Sequence, residues 1–328
     1  MEKVTAYEWG MWYPCDWGGI PMRPLWKDIV AGIFWGLVIP GILLNFAVMY
    51  LQVHDETPAL QLETEPEETV PQEAVPVCYV DLVLPDGNVQ KTEMETYLLG
   101  VVLAEMPAHF ETEALKSQAV VARTYAIKAK SSGHKHADGD ICTKAECCQA
   151  YIPEETYIAS GGHAEDVDKI RHAVEKTAGL VLTYEGKPIE ATYFSCSGGQ
   201  TEDAVAVWGT DYPYLRSVSS PGEEHATHYT DTEIFSKEAF CDALGIAQNS
   251  WKGSLLGTVT YTAGGGIAQM DIGGVSFSGT QLRQKLGLRS TAITMVEMDS
   301  SVEITTMGFG HRVGMSQYGA DAMASAPY

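Results

Sequence analysis

The chain has 328 residues, enough for one large domain or two smaller ones with a sizeable core. Hydrophobic residues make up 45% of it and charged residues 20%, which excludes a largely disordered protein. Its 43 acidic and 21 basic side chains give a net charge of −22, so it repels phosphate backbones and nucleic acid is excluded as a partner.

The first predicted element is an apolar stretch at residues 29–48, in which only Asn45 has a polar side chain. A helix of that length is about 30 Å long and matches the hydrocarbon core of a membrane, so we expect a transmembrane helix. Three basic residues precede the stretch, whereas residues 51–90 carry nine acids and no lysine or arginine. This asymmetry predicts a cytoplasmic segment at 1–28 and an extracytoplasmic C-terminal part.

The next segment, 49–77, is predicted to be a linker. From Asp55 to Val77 it contains seven acidic residues and four prolines, a composition that extends a chain and prevents regular structure. The folded part is then expected at 78–328. Because helical and strand patterns are segregated there, we predict an α+β fold class: a single-pass membrane helix, then a mixed α/β catalytic region with helical and β-rich parts.

Two helices are predicted at the start of the folded part. Apolar residues recur at helical spacing over 93–105 and Pro107 ends the pattern, while a second helix at 113–130 has lysines in its last turn. Glu105 closes the first helix on its apolar face. Burial there raises the pKa of a carboxyl group and suits it to general acid catalysis. The alternative is that Glu105 pairs with a base such as Arg123 or faces solvent.

A loop after the second helix contains four potential metal ligands, His136, Cys142, Cys147 and Cys148. One imidazole and three thiolates suit tetrahedral zinc, and a shell filled by protein ligands indicates a structural metal. A disulfide such as Cys142 to Cys148 is the alternative. Catalytic zinc would require that one of the four does not bind.

Short strands are predicted in the second half of the chain. Residues 179–194 alternate like a hairpin, and residues 257–278 give further strands punctuated by glycines. Two glycine-rich segments, at 193–202 and 308–320, place small residues beside Ser, Thr, His and Gln side chains. Small residues permit close approach of a polyhydroxylated ligand, so these segments are predicted to line a sugar-binding groove. The alternative is that they form turns only.

Four segments carry a resemblance to a known family. They are YLLGVVLAEMPAHFETEALKSQAVVARTYA at 97–126, ICTKAECCQAY at 141–151, YFSCSGGQTEDAVAVWGTDYPYL at 193–215 and GFGHRVGMSQYGA at 308–320. In this order they resemble the stage II sporulation protein D family of bacterial lytic transglycosylases.

The resemblance implies a membrane-anchored enzyme that cleaves the β-1,4 bond between N-acetylmuramic acid and N-acetylglucosamine. Its substrate would be peptidoglycan glycan strands that have lost their stem peptides, and its product would be a 1,6-anhydro sugar. The resemblance further implies septal wall remodelling and engulfment during sporulation, in the space between the septal membranes. Stage II sporulation proteins P and M would be its partners.

The matching motifs also imply roles for individual residues. Glu105 resembles the family's catalytic acid, Arg123 resembles a second required residue of the catalytic site, and the His and Cys loop resembles the family's zinc loop. Arg312 is a departure, because members of the family usually have glycine there. Eight further residues within the matching segments are predicted to bind the glycan: Gln118, Gln149, Tyr151, Ser195, Ser197, His311, Ser316 and Gln317.

Two other functions remain open from the sequence. The first is a non-catalytic scaffold that holds peptidoglycan in the same groove and recruits partners. The second is a hydrolase of wall peptides or glycans that uses the zinc loop for catalysis.

Overall fold

The computed structural model describes residues 77–133, 135–136, 138–248 and 251–326. The first part of the fold is mainly helical. Its elements are β1 (Tyr79–Val83), β2 (Val89–Glu93), α1 (Met94–Glu105), α2 (Thr112–Ser131), β3 (Ile141–Cys142), α3 (Glu154–Ala159) and α4 (Ala164–Lys176).

The helical part is built around α1, which is buried on every side from Tyr97 to Leu103. Apolar residues occupy the whole circumference of this helix rather than one stripe, and a helix of that kind is stable only when neighbours cover it. α2, α4 and β1 provide that cover in one continuous core. The two helices predicted at 93–105 and 113–130 are therefore observed as α1 and α2, but α1 is not amphipathic.

The second part of the fold is rich in strands. Its elements are β4 (Thr183–Tyr184), β5 (Lys187–Pro188), β6 (Tyr193–Phe194), α5 (Ala204–Trp208), β7 (Thr230–Ser236), α6 (Lys237–Leu244), β8 (Leu256–Tyr261), β9 (Ile267–Ile272), β10 (Val275–Phe277), α7 (Gly279–Leu286), β11 (Ala292–Glu297), β12 (Ser301–Met307), β13 (Met315–Ser316) and α8 (Gln317–Ser325).

Two three-stranded antiparallel sheets organise the β-rich part, with strand orders β10-β9-β8 and β11-β12-β7. Buried side chains of β9 and β12 belong to a second hydrophobic core that α6 and α7 also line. The predicted hairpin at 179–194 is shorter than expected. Only β4 and β5 form it, around Glu185 and Gly186, whose positive φ angles of 50° and 73° make the tight turn.

The chain finally returns to the helical part. β13 pairs in parallel with β6, and α8 packs against α2. Ser316 caps α8 by accepting a hydrogen bond from the Gly319 N–H. This return places Gln317, the first residue of α8, near the end of α1, although the two are more than 200 residues apart along the chain.

The structure corrects the predicted membrane architecture. None of the described helices is long and apolar enough to cross a membrane: α1 is apolar but has 12 residues, and α2 has 20 residues but carries several charges along its length. The predicted span at 29–48 lies outside the described residues, as do 1–28 and nearly all of 49–77. The described residues form a mixed α/β fold, and none of their helices supports the predicted single-pass anchor or the membrane localisation that depended on it.

Candidate active site

A cavity of about 380 Å³ lies where the helical part meets the β-rich part, a volume in the range of ligand pockets. We call it the Glu105 cavity. It is lined by Glu105, Tyr125, Ala145, Cys148, Ala191, Thr192, Tyr193, Phe194, Ser195, Arg283, Phe309, Gly310, His311 and Gln317.

Glu105 is the last residue of α1, where Met106 turns into an extended conformation and ends the helix. The carboxylate accepts the N–H of Ala150 at 2.7 Å and hydrogen-bonds to the side chains of Tyr193 and Gln317. Burial raises the pKa of Glu105 above its ordinary 4.5, and the three hydrogen bonds oppose that rise without cancelling it. A carboxyl group in this environment stays protonated to higher pH than an exposed one.

The peptide that holds Glu105 is fixed by close packing against α1. Gly100 accepts the N–H of Ile152, and a Cβ at Gly100 would overlap the ring of Tyr151. Glycine thus allows the segment that contains Ala150 to approach the helix directly.

Tyr193 links Glu105 to a buried chain of hydrogen bonds. Gln149 donates to the Tyr193 hydroxyl oxygen at 3.1 Å, and the Tyr97 hydroxyl donates to the Gln149 carbonyl, also at 3.1 Å. The Tyr193 hydroxyl oxygen is occupied as an acceptor, so its proton is available to Glu105. The chain therefore orients Tyr193 toward the carboxylate.

His311 also lines the cavity. Burial, and the nearby charge of Arg283, lower the pKa of His311 to about 4, so its imidazole is neutral at neutral pH. Its ring packs against Phe194 and Trp208 at centroid distances of 5.6 and 5.2 Å. Phe194 and His311 thus give the cavity part of an aromatic lining, a surface suited to the face of a sugar ring.

The four predicted metal ligands come together beside the cavity. The ligand atoms of His136, Cys142, Cys147 and Cys148 all lie within 4.8 Å of one another, and both cysteines of the predicted disulfide are free thiols. Burial alone would raise the pKa of Cys148, but hydrogen bonds from Cys142 and His136 and the charge of Lys135 bring it to about 7. Three sulfurs and one imidazole at these separations fit a tetrahedral zinc ion.

Arg123 is not brought to the Glu105 cavity. Its side chain is 1% exposed, and its guanidinium forms a two-point ion pair with Glu95 at 2.6 and 3.1 Å. The same group donates to the carbonyls of Leu180 and Val174. Arg123 thus joins α2 to the start of α1 and to the end of α4, and it positions the helix that carries Glu105.

The predicted glycan-binding residues divide into two groups. Ser195, His311 and Gln317 line the cavity. The others do not: Gln118 is buried behind Gln317, Gln149 lies between two tyrosines, Tyr151 stacks on Tyr97, Ser197 is bound to Glu223, and Ser316 caps α8.

Glu223 explains the position of Ser197. This fully buried carboxylate accepts hydrogen bonds from the Ser197 N–H and hydroxyl, from the Ser220 hydroxyl and from the Cys196 thiol. The Ser197 hydroxyl in turn accepts the Gly199 N–H. The cluster shapes the turn that follows β6 and leaves the Ser195 backbone at the cavity wall.

Tyr125, Tyr193 and Arg283 are among the lining residues that were not predicted as site residues from the sequence. Tyr193 stands within a glycine-rich segment that was predicted to line a groove, and its position two residues before Ser195 was a usable signal. Arg283 lies among polar residues of α7, a pattern typical of an exposed helix, and no local feature of the sequence distinguishes it.

Comparisons with known proteins place the chain in a family. The family model described as Stage II sporulation protein matches residues 87–184. Stage II sporulation protein D of Bacillus amyloliquefaciens is 39% identical over 241 residues, which cover 72% of this chain and 70% of that protein. Stage II sporulation protein D of Bacillus subtilis (strain 168) is 38% identical over 242 residues, with the same two coverages.

A more distant relative has a different name. The amidase enhancer of Bacillus subtilis (strain 168) is 29% identical over 283 residues, which cover 70% of this chain and 37% of that protein. The residues matched by the family model include Glu105 and the His and Cys cluster. The chain belongs to the stage II sporulation protein D family.

Proposed function

We propose that the protein is a peptidoglycan lytic transglycosylase that acts in wall remodelling during sporulation. The bond cleaved is the β-1,4 bond between N-acetylmuramic acid and N-acetylglucosamine in peptide-free glycan strands. The observation that carries the proposal is the acid content of the cavity: among its described lining residues, Glu105 is the only carboxyl group. Ordinary glycosidases use two carboxyl groups across the scissile bond, whereas intramolecular ring closure needs one.

In the first step, protonated Glu105 donates its proton to the glycosidic oxygen, and the C1–O bond breaks with oxocarbenium character at C1. In the second step, the Glu105 carboxylate takes the proton of the C6 hydroxyl of the same sugar. The C6 oxygen then bonds to C1 and closes the anhydro ring. Because the nucleophile belongs to the substrate, no activated water is required and proximity supplies much of the rate.

Tyr193, Gln317 and the Ala150 N–H serve both steps. Each hydrogen-bonds to Glu105, so the carboxylate formed after the first step is stabilised without reorganisation. Burial favours the protonated form that starts the reaction, and these donors favour the charged form that follows. Because burial and the hydrogen-bond donors have opposite effects, both the protonated and the charged form of Glu105 are accessible during the reaction.

The zinc site is proposed to be structural. His136, Cys142, Cys147 and Cys148 would hold the ion, and a shell of four protein ligands leaves no position for a reactive water. Bound zinc would cross-link the loop that precedes Ala150, whose N–H holds Glu105. This arrangement disfavours the alternative of a zinc hydrolase.

Peptidoglycan glycan is the proposed partner of the cavity, and stage II sporulation proteins P and M are proposed as protein partners. The names of the relatives support the sporulation setting, and the name of the amidase enhancer supports a link to an amidase.

The decisive experiment is mass spectrometry of the products from purified, peptide-free glycan strands. The proposal expects fragments that end in 1,6-anhydro-N-acetylmuramic acid. Fragments with a free reducing end would indicate a hydrolase instead. Binding of glycan without any product would favour the scaffold alternative.

The rate of cleavage is expected to fall as pH rises through the pKa of Glu105. The acid must be protonated at the start of the reaction, and burial places its pKa above the ordinary 4.5, so the decline should begin at higher pH than for an exposed glutamate. The measurement is kcat/KM from acid to neutral pH, with far-UV circular dichroism at each pH. A rate that increases over this range while the fold is constant would contradict the role of Glu105 as the acid.

Zinc is expected to stabilise the folded protein, because the ligands are assembled only in the folded loop. At a free zinc concentration one hundred times Kd, linkage predicts a gain of about 2.7 kcal/mol in the free energy of unfolding. Cys148→Ser should remove most of this gain. Cys78→Ser, which changes an exposed thiol outside the cluster, should retain it. Equal urea stability with zinc and with chelator would exclude a structural metal.

A further inference from the structure

Arg283 brings a positive charge without a carboxylate partner among the described residues to the Glu105 cavity. It lies on α7, in the β-rich part, and its partly buried side chain lines the cavity. Among the described residues no carboxylate or carbonyl is hydrogen-bonded to its guanidinium. The other five arginines in the described ranges are all paired with a carboxylate: Arg123 with Glu95, Arg171 with Glu154, Arg216 with Asp211, Arg289 with Asp231 and Arg312 with Glu202.

The surroundings of Arg283 leave its charge uncompensated. Its neighbour His311 is neutral at neutral pH because its pKa is about 4. The lining carboxyl group, Glu105, already hydrogen-bonds to Ala150, Tyr193 and Gln317. Burial lowers the pKa of Arg283, yet a guanidinium keeps its proton in proteins, so a fixed positive charge faces the cavity. Removing such a charge from water is unfavourable unless an anion pairs with it.

The chemistry of the proposed substrate supplies one anion at the required place. N-acetylmuramic acid carries a lactyl ether on O3, within one sugar ring of the scissile bond at C1. In glycan that bears stem peptides, the lactyl carboxyl group forms an amide and is neutral. In peptide-free glycan it is a carboxylate, which matches the planar, two-point donor geometry of arginine.

Resting on the proposed function, we propose that Arg283 binds the lactyl carboxylate of the N-acetylmuramic acid residue cleaved at Glu105, and so selects peptide-free glycan. Arg283 is then a specificity-determining residue. It contributes little to the cleavage of a substrate whose lactyl group is neutral.

The test compares two short glycan oligosaccharides that differ only at the lactyl group. One has the free carboxylate, and in the other the carboxyl group is converted to a methylamide. Binding is measured by calorimetry on the Glu105→Gln protein, which does not consume the ligand. A charge-assisted, two-point contact predicts a preference for the carboxylate of roughly tenfold to a hundredfold.

Arg283→Gln in the same background should reduce this preference to about twofold or less, since a neutral amide offers no charge-assisted bond. Arg283→Lys should keep part of it. The matched control is Lys285→Gln, which removes a positive charge from an exposed site on the same helix and should leave the preference unchanged. Because Arg283 has no hydrogen-bond or ion-pair partner among the described residues, these variants are expected to fold.

The outcomes separate the two proposals. If the wild type cleaves both oligosaccharides at equal rates, the selection by Arg283 is overturned and the transglycosylase proposal stands. If the preference in binding depends on Arg283 but neither oligosaccharide is cleaved, the catalytic proposal fails and the inference stands. A preference that survives Arg283→Gln, or binding of neither oligosaccharide, overturns the inference.

Discussion

Replacing Glu105 with glutamine is expected to reduce the cleavage of peptide-free glycan by about 10³ to 10⁴, the upper part of the range for a general acid–base group. Glutamine has the same shape as glutamate and keeps an oxygen that can accept the Ala150 N–H. It has no proton of suitable acidity for the leaving oxygen and no basicity toward the C6 hydroxyl. Both steps of the reaction are therefore lost together.

The same substitution should not weaken the fold. Because burial raises the pKa of Glu105, the folded protein binds its proton more tightly than the unfolded chain does. Above the ordinary pKa of glutamate, this difference makes the buried carboxylate unfavourable for folding. An uncharged glutamine at neutral pH should therefore leave the free energy of unfolding equal or raise it.

Product release measured by mass spectrometry, together with urea unfolding, separates loss of chemistry from loss of structure. Glu113→Gln is the matched control, because Glu113 is exposed on α2 and is absent from the Glu105 cavity. Its rate should equal that of the wild type. A Glu105→Gln protein that retains more than a tenth of the wild-type rate would show that another group acts as the acid.

Part of this site was predictable from the sequence for physical reasons. α1 ends at Glu105 because Pro107 follows, and the four metal ligands lie close together in the chain, so a short loop is enough to assemble them. Both features depend on local sequence. The His and Cys cluster and the buried carboxylate were therefore found without knowledge of the tertiary structure.

Other parts depended on contacts between distant segments. Gln149 and Ser197 are polar residues in glycine-rich or motif segments, where binding to a ligand was the expectation. The Gln149 side chain instead hydrogen-bonds to Tyr97 and Tyr193, and the Ser197 side chain hydrogen-bonds to Glu223. These partners come from other segments of the fold. Hydrogen-bond partners of this kind have no periodic signature in the sequence.

The positions of Arg123 and Arg283 also could not be predicted from the local sequence. Arg123 was expected near the substrate, but Glu95 holds it inside the helical part. Arg283 carried no motif, yet the packing of α7 places it in the cavity. The sign of a charge is evident from the sequence, whereas its partner is fixed only by the fold.

Removal of the buried Arg312 side chain is expected to cost about 3–5 kcal/mol of folding stability. The side chain is 2% exposed and donates to the carbonyls of Ser197, Gln200 and Gly264 at 2.7 to 2.8 Å. It also forms an ion pair of 3.4 Å with Glu202, which is 1% exposed. Arg312→Ala would leave three carbonyls and one carboxylate buried without this partner.

The backbone at Arg312 predicts a difference between two variants. Its φ angle is 65°, in the left-handed region that is unfavourable for residues with a Cβ by about 1–2 kcal/mol. Arg312→Gly should therefore be less destabilised than Arg312→Ala by about that amount, although both lose the guanidinium. Urea unfolding of the two variants measures the difference directly.

Part of the stability lost in Arg312→Ala is expected to come from the buried charge of Glu202, which loses its ion-pair partner. Glu202 also accepts hydrogen bonds from the Thr262 hydroxyl and the Gly266 N–H. Glu202→Gln removes the unpaired charge and keeps a side-chain oxygen that can accept these two hydrogen bonds. The double variant Arg312→Ala, Glu202→Gln should be more stable than Arg312→Ala alone. Arg216→Ala, which removes an exposed pair with Asp211, should change stability by about 1 kcal/mol or less. If Arg312→Ala lost no more stability than Arg216→Ala, the buried guanidinium would have no structural role.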